Sequence, residues 1–397
     1  MASLDDVARA AGVSTATVSR ALSGRGRTSE ATRQRVRAAA DALGYVASAT
    51  ASSLASGRAE NIGVIVPLMD RWFFATVLDG IAARLAPRGY DLTLYNLTDD
   101  PAQRRRLFET SLRRGRVDGL IVLSVALTDD EVVALETLDL PVVGLGVPRG
   151  ELPALRVDDT AVGRAAAEHL LALGHREIVH IGQSVGAEVA GRAPAYDIPT
   201  RRRAGFEAAM AAAGAAARFV ESDFTVDGAR RAAVALLRGG GGGAADAGTG
   251  AARRPTAIFA ASDEMAYGVL TAARDLGLRV PEDLSVIGVD GHDLAELFGL
   301  TTIDQFPHAQ GERAGDAILA ALGRPAAGAP DPGPPADAPG TPAGLAAPAG
   351  LGAPAGLAAP GGLGAPGGSE SLDGSEVDAS LPFALVTRGT TAPPPRS

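Results

Sequence analysis

The spacing of apolar residues changes character near residue 60. Before it, Leu4, Val7, Ala8 and Ala11 fall on one face of a helix. Ser3 stands at the N-cap position and Asp6 follows three residues later, the arrangement of a capping box. Gly12 breaks the stripe. Ser14 opens a second helix whose Val18, Ala21 and Leu22 face inward, and Ser29 opens a third with Val36, Ala40 and Leu43, stopping at Gly44. Residues 1–46 therefore read as an N-terminal all-α module of three short helices. Residues 47–58 are small and polar around one large apolar residue, Leu54.

From residue 60 short apolar runs alternate with amphipathic stretches. Strands are expected at 62–66, 90–95, 117–123 and 140–144, with helices from about 74 to 86 and an Arg-rich helix around 101–114. A second series is expected to begin near Val157. It continues with helices at 160–173, 200–213, 227–238 and 263–276 and strands at 177–181, 218–221, 257–260 and 284–289. Alternation of this kind implies parallel sheets covered by helices on both faces. The expected fold is thus a helical headpiece followed by an α/β domain of two lobes, each a doubly wound parallel sheet, spanning 60–323. The ligand cleft of such a domain lies at the carboxyl ends of its strands. Two segments do not suit a packed core: a Gly-rich loop at 239–250, and an Ala/Pro/Gly-rich stretch at 324–379 with a six-residue repeat beginning at Pro342, which reads as a disordered insertion. A final strand of the lobed domain is expected within 380–391.

Charge then separates the two parts. The chain carries −9 overall, yet residues 1–60 hold eight arginines against five acids, a local excess of three positive charges. There are no cysteines, which excludes disulfides and thiol chemistry. The start shows no basic segment followed by an apolar run, and no stretch of the length needed to span a bilayer follows, so a cytoplasmic protein without a membrane partner is expected. All 37 basic residues are arginine, a coding bias more than a functional signal.

A major groove admits one helix, which a second must brace against the backbone. The pair of apolar stripes on either side of Gly12 meets that demand. The second helix starts at Ser14 and turns Thr15, Ala16, Thr17, Ser19 and Arg20 outward. Arg20 suits guanine or phosphate, and Thr15 and Ala16 offer a hydroxyl and a methyl to base edges. A small helical pair with a solvated polar face fits the same spacing.

The run Leu4-Asp-Asp-Val-Ala-Arg-Ala-Ala-Gly-Val-Ser-Thr-Ala-Thr-Val-Ser-Arg-Ala-Leu22, with Thr32-Arg-Gln-Arg-Val36 and Leu43-Gly-Tyr45, resembles the headpiece of the LacI/GalR family of bacterial regulators. Further along, Val117-Asp-Gly-Leu-Ile121, Val157-Asp-Asp159, His169-Leu-Leu-Ala-Leu-Gly-His-Arg176 and Val280-Pro-Glu-Asp-Leu-Ser-Val-Ile-Gly-Val-Asp290 extend the resemblance. It implies a regulator, in the repressor sense, that binds a palindromic operator as a homodimer. It also implies a hinge helix at 47–58 whose Leu54 wedges into the minor groove. The chain departs from the family here, with Ala47-Ser48 in place of Pro-Asn and Ser52 in place of Arg.

For the cleft, Arg71, Trp72 and Phe73 follow the first strand, where Arg71 and Trp72 depart from the family's Asn-Pro-Phe-Phe; of Phe73 and Phe74, at least one is expected in the core. The resemblance marks Arg202 and Asp290 as ligand contacts, a donor and an acceptor that suit vicinal hydroxyls. Ser262 stands where relatives have Asn, Asp263 reads as the cap of the next helix, and Ser124 ends the third strand. A flat Trp72 beside charged residues leans toward a sugar effector, with purines or nucleosides open. The five histidines do not pair with carboxylates at metal spacing, no Gly-Lys-Ser/Thr follows the Gly run, and no nucleophile constellation appears. No metal, cofactor or enzymatic activity is expected. The second reading is a sugar-binding protein of the periplasmic type without DNA function, against which residues 1–46 count.

Overall fold

The computed structural model describes residues 2–22, 28–45, 58–98, 100–125, 127–146, 154–183, 198–238, 254–323 and 380–395. Residues 47–57 with Leu54, the loop at 239–250 and the insertion at 324–379 lie outside them. No helix among the described residues is long and apolar enough to cross a membrane.

The headpiece forms α1 (Leu4–Ala11), α2 (Thr15–Leu22) and α3 (Glu30–Leu43). Ser3 and Asp6 close a reciprocal capping box, and Gly12 ends α1 at φ 65°, a conformation that favours glycine. Ser14 Oγ accepts from Thr17 N at 3.3 Å, and Ser29 Oγ from Thr32 N at the same distance. With their ends capped, the three helices bury one small core of Val7, Ala8, Val18, Ala21, Val36 and Ala40.

Lobe 1 is a six-stranded sheet. In chain order its strands are β1 (Asn61–Val66), β2 (Asp91–Asn96), β3 (Gly119–Leu123), β4 (Val142–Leu145), β5 (Ala154–Val157) and β11 (Ser380–Leu381), arranged β11-β5-β4-β3-β1-β2. Helices α4 (Trp72–Leu85), α5 (Pro101–Arg106) and α6 (Asp129–Glu136) belong to it. Lobe 2 holds β6 (Ile178–Gly182), β7 (Arg218–Glu221), β8 (Ala257–Ala260), β9 (Ser285–Asp290), β10 (Thr301–Asp304) and β12 (Ala384–Val386), in the order β12-β10-β9-β8-β6-β7. Its helices are α7 (Asp159–Ala172), α8 (Ile198–Ala212), α9 (Val226–Arg238) and α10 (Asp263–Asp275). A last helix, α11 (Pro307–Ala321), returns to lobe 1 and packs on α4, β3 and β4. The two-lobed α/β architecture is the one the alternation implied.

Four details differ from the sequence reading. β5 does not open the second series but pairs with β4, through Gly144–Ala154 and Leu145–Leu155, so lobe 2 begins at α7. The Arg-rich segment is not one regular helix: after α5 it widens to a π-turn at Leu107–Ser111 and tightens to a 3-10 turn at Leu112–Arg114, burying Leu107, Phe108 and Leu112. Arg104 is also buried, in a two-bond ion pair with Glu131 of α6 at 2.6 and 2.7 Å. The final segment is two strands rather than one. Pro382, which has no N–H to donate, separates β11 of lobe 1 from β12 of lobe 2. β12 runs antiparallel to β10, so the second sheet is parallel except at that edge.

The chain passes between the lobes at Val157–Asp159, Asp304–Pro307 and Leu381–Ala384. In lobe 2, α7 and α8 approach closely enough that a Cβ on Gly163 would overlap the carbonyl of Arg202, and one on Gly205 that of Thr160. Glycine is required at this crossing for space rather than for backbone conformation. We expect Gly163→Ala to cost about 1–3 kcal/mol by forcing the helices apart. The measurement is thermal denaturation, and an unchanged midpoint would contradict the close packing.

Candidate functional site

Two surfaces carry candidate chemistry. On the headpiece, α2 exposes Ser14, Thr15, Ala16 and Arg20, while Thr17 and Ser19 are half-buried. The Thr17 hydroxyl lies 2.9 Å from that of Ser14, so both are engaged in the cap. Arg20 folds back along its helix, its Nε donating to the Ala16 carbonyl at 3.0 Å. That bond holds the guanidinium on the outer face, next to Ala16. Val18 and Ala21, fully buried, fix which way this face points.

The second surface is the cleft between the carboxyl ends of the two sheets. Its floor is a polar chain in lobe 2. Arg202, projecting from α8 and only 5% exposed, donates to Asp159 Oδ1 from Nη2 at 2.7 Å and from Nε at 3.2 Å. Its Nη1 donates to the Ala261 carbonyl at 2.7 Å, and its Nη2 also reaches Gln305 Oε1 at 3.3 Å. Gln305 Nε2 in turn donates to Asp290 Oδ1 at 2.9 Å. Arg202 and Asp290, expected as a pair, are therefore joined through Gln305.

Burial, reinforced by the neighbouring Asp263 carboxylate, raises the Asp290 carboxyl well above the usual range. Asp263 is itself pushed up to about 7 by burial, although it accepts the backbone N–H of His292 at 2.8 Å. Its Oδ1 and the Tyr267 hydroxyl are buried without partners among the described residues. Positive backbone φ outside glycine occurs at Glu60, Ser124, Asp290 and Phe306, and the last three stand at strand ends bordering the cleft. Conformations of this kind cost about 1–3 kcal/mol each and gather at functional sites.

At the mouth, Trp72 lies on the His292 ring with centroids 4.3 Å apart, and Arg71 pairs with Asp70 at 2.8 Å and faces Glu264 at 3.7 Å. Phe73 is half-buried against the core that Phe74 enters, and Ser124 is half-buried at the end of β3. Ser262 is fully buried, and its hydroxyl accepts from Met265 N at 3.2 Å. The cap of α10 is thus Ser262, not Asp263, which is the first helical residue and is turned toward the β9 turn.

Asp159, Gln305 and His292 were not singled out from the sequence. Asp159 lay inside the Val157-Asp-Asp159 motif without an assigned role. Gln305 follows β10, a strand of two threonines, an isoleucine and an aspartate that offers little apolar signal.

Residues 3–48 match the family described as bacterial regulatory proteins, lacI family, and residues 167–337 match a periplasmic binding protein-like domain. The HTH-type transcriptional repressor PurR of Vibrio campbellii is 34% identical over 328 residues, covering 80% of this chain and 91% of that protein. The chain belongs to the LacI family. The HTH-type transcriptional repressor PurR of Serratia proteamaculans is 33% identical, over 80% of this chain and 90% of that protein. Among solved structures, the lac repressor dimer bound to operator and the anti-inducer ONPF superposes with a TM-score of 0.71 over 98% of this chain and 99% of that one, at 23% identity. A CelR–cellobiose complex reaches 0.54 at 27% identity, over 82% of this chain and 95% of that one. This LacI-family chain is accordingly a DNA-binding transcriptional regulator with the headpiece and lobed domain expected of it.

The Asp263 carboxyl gives this regulator a pH signature. Its pKa in the fold, about 7, lies above the 3.8 of an ordinary aspartate, so the folded state holds the extra proton. The stability it contributes is complete below about pH 4 and is lost as pH rises through 7. Asp263→Asn should flatten the decline of melting midpoint across that window by up to about one proton equivalent. A slope identical to wild type would show that Asp263 is ionised in the folded protein.

Proposed function

We propose that this regulator is a repressor that binds a two-fold operator as a homodimer, with its affinity set by a small polar effector held between the lobes. The observation that carries this reading is the placement of Asp159 and Gln305. Both sit on segments where the chain crosses between lobes, and both bond Arg202. An effector that engages Asp290 perturbs the same polar chain and so the angle between lobes. A change of that kind supplies the coupling between a ligand and a distant DNA surface, typically about 1–3 kcal/mol.

On the DNA side, Ser14, Thr15, Ala16, Thr17, Ser19 and Arg20 of α2 are the proposed contacts, with Leu54 as the minor-groove wedge. Two headpieces reading two half-sites require two-fold pairing. Leu294, Leu297 and Phe298 in lobe 2 are 42%, 77% and 51% exposed, an apolar patch that supports pairing of copies. On the effector side, Arg71, Trp72, Phe73 and Ser124 line the approach and Arg202 and Asp290 the floor. Ser262 acts from behind as the cap of α10. The leaning to a sugar is replaced by a purine-type effector as the first candidate, supported by the similarity to PurR repressors, with a sugar second. The alternative, a binding protein without DNA function, leaves three capped helices with an exposed arginine face unexplained.

Selection of duplexes from a random pool, followed by gel shift, tests the DNA reading. Arg20→Ala should weaken the selected operator by about 1–3 kcal/mol; absence of any sequence-specific shift from folded full-length protein would refute it. For the effector, sugars, purine bases and nucleosides should be compared by melting midpoint, since a ligand of the native state raises it. Asp290→Asn should abolish the rise given by any hit, and a rise that survives the substitution would place the effector elsewhere.

A further inference from the structure

Contacts made by the protein's own residues tie the lobes together at the rim of the cleft. α4 belongs to lobe 1 and begins at Trp72, yet its N-cap residue, Arg71, makes no side-chain cap bond. The start of a helix leaves N–H groups without partners and carries partial positive charge. A carboxylate from the other lobe lies beside this end. Glu264, in the first turn of α10, lies 3.7 Å from Arg71 Nη1, so its carboxylate is held beside the start of α4.

Next to it, the Trp72 ring is received by an aromatic slot of lobe 2. It stacks on His292 at 4.3 Å with the planes 22° apart. Tyr267, on the same helix as Glu264, meets His292 edge-on at 5.3 Å, and Phe298 backs Tyr267 at 4.9 Å. His292 is itself held in place, its N–H bonded to Asp263 and its Nδ1 accepting from Leu294 N at 3.0 Å. Arg71 and Trp72 are the two positions at which this chain departs from the Asn-Pro-Phe-Phe of its relatives. The departure replaces a residue that can cap its own helix with one that cannot.

We propose that the Arg71–Glu264 ion pair and the Trp72–His292 stack together form a latch that closes the sensor domain, holding the start of α4 against the opposite lobe. The proposal rests on the reading that the effector enters this cleft. It adds that entry to Asp290 requires the latch to part, and that the protein itself supplies part of the closing energy. The latch also makes His292 and Glu264 determinants of effector affinity without contacting Asp290.

Trp72 is the chain's single tryptophan, so its fluorescence reports the latch directly. The test is acrylamide quenching, emission maximum and small-angle scattering on full-length wild type, Glu264→Gln and His292→Ala. Loss of one stacked pair changes an open-to-closed ratio about 2- to 10-fold. Quenching and the radius of gyration should therefore rise and emission shift to the red in both variants. Glu264→Asp, which keeps the charge with shorter reach, should fall between wild type and Glu264→Gln, and it serves where the latter melts early. Unchanged quenching and scattering in variants that still unfold cooperatively would overturn the proposal. So would exposure of Trp72 in His292→Ala alone with scattering as in wild type, which marks a local stack and not a latch. These readouts involve neither DNA nor effector, so their failure leaves the operator reading standing, and a failed gel shift leaves the latch standing.

Discussion

A guanidinium cannot lie bare in a protein interior, and Arg202 sits almost wholly buried where α7, α8 and the ends of β8 and β10 meet. An unpaired charge there would be strongly destabilising, so its partners are fixed in place as firmly as Arg202 itself. Asp159 supplies the counter-charge, the Ala261 carbonyl and Gln305 take further donors, and Gln305 passes the connection to Asp290. The close approach of α7 and α8, permitted by Gly163 and Gly205, sets the depth at which Arg202 enters. The floor of the cleft is thereby one connected object rather than a set of side chains.

That object lies at the joints of the molecule. Asp159 is two residues beyond β5 of lobe 1, and Gln305 stands between β10 of lobe 2 and α11 of lobe 1. A ligand that draws on Asp290 therefore acts on segments whose backbone sets the angle between lobes. The rim adds a second tie, through Trp72, His292, Arg71 and Glu264. Floor and rim differ in kind. The floor is charge held in low dielectric and is rigid, whereas the rim is ring contact and a partly exposed ion pair, which opens at lower cost.

Much of the headpiece was legible in the residues. Ser3 with Asp6, Ser14, Ser29, Gly12 and Gly44 mark helix ends by local bonds, and the structure places them at those ends. The apolar alternation of the lobes also read correctly for most strands. It failed where chain order and spatial order part: β5 joins lobe 1, and the final segment divides between sheets at Pro382. It failed as well for Asp263, where the polar side chain that caps α10 is its neighbour Ser262. Of the cleft residues, Arg202 and Asp290 came from resemblance, while Gln305 and His292 carry no local pattern that marks them.

The sequence by itself determined what depends on neighbours along the chain: helix starts and stops, the alternation that calls for parallel sheets, the basic headpiece on an acidic protein, and the outward face of α2. Hydrogen bonds three or four residues apart and the period of apolar positions are enough for these. Only the tertiary structure decided which carboxylate meets Arg202, that Gln305 bridges it to Asp290, and that a glutamate of lobe 2 meets the start of a helix in lobe 1. Arg202 and Asp159 are brought together by the packing of α7 on α8, and Gln305 joins them from the far end of the lobe. Burial raises the strength of each such contact, and burial is a property of the whole fold.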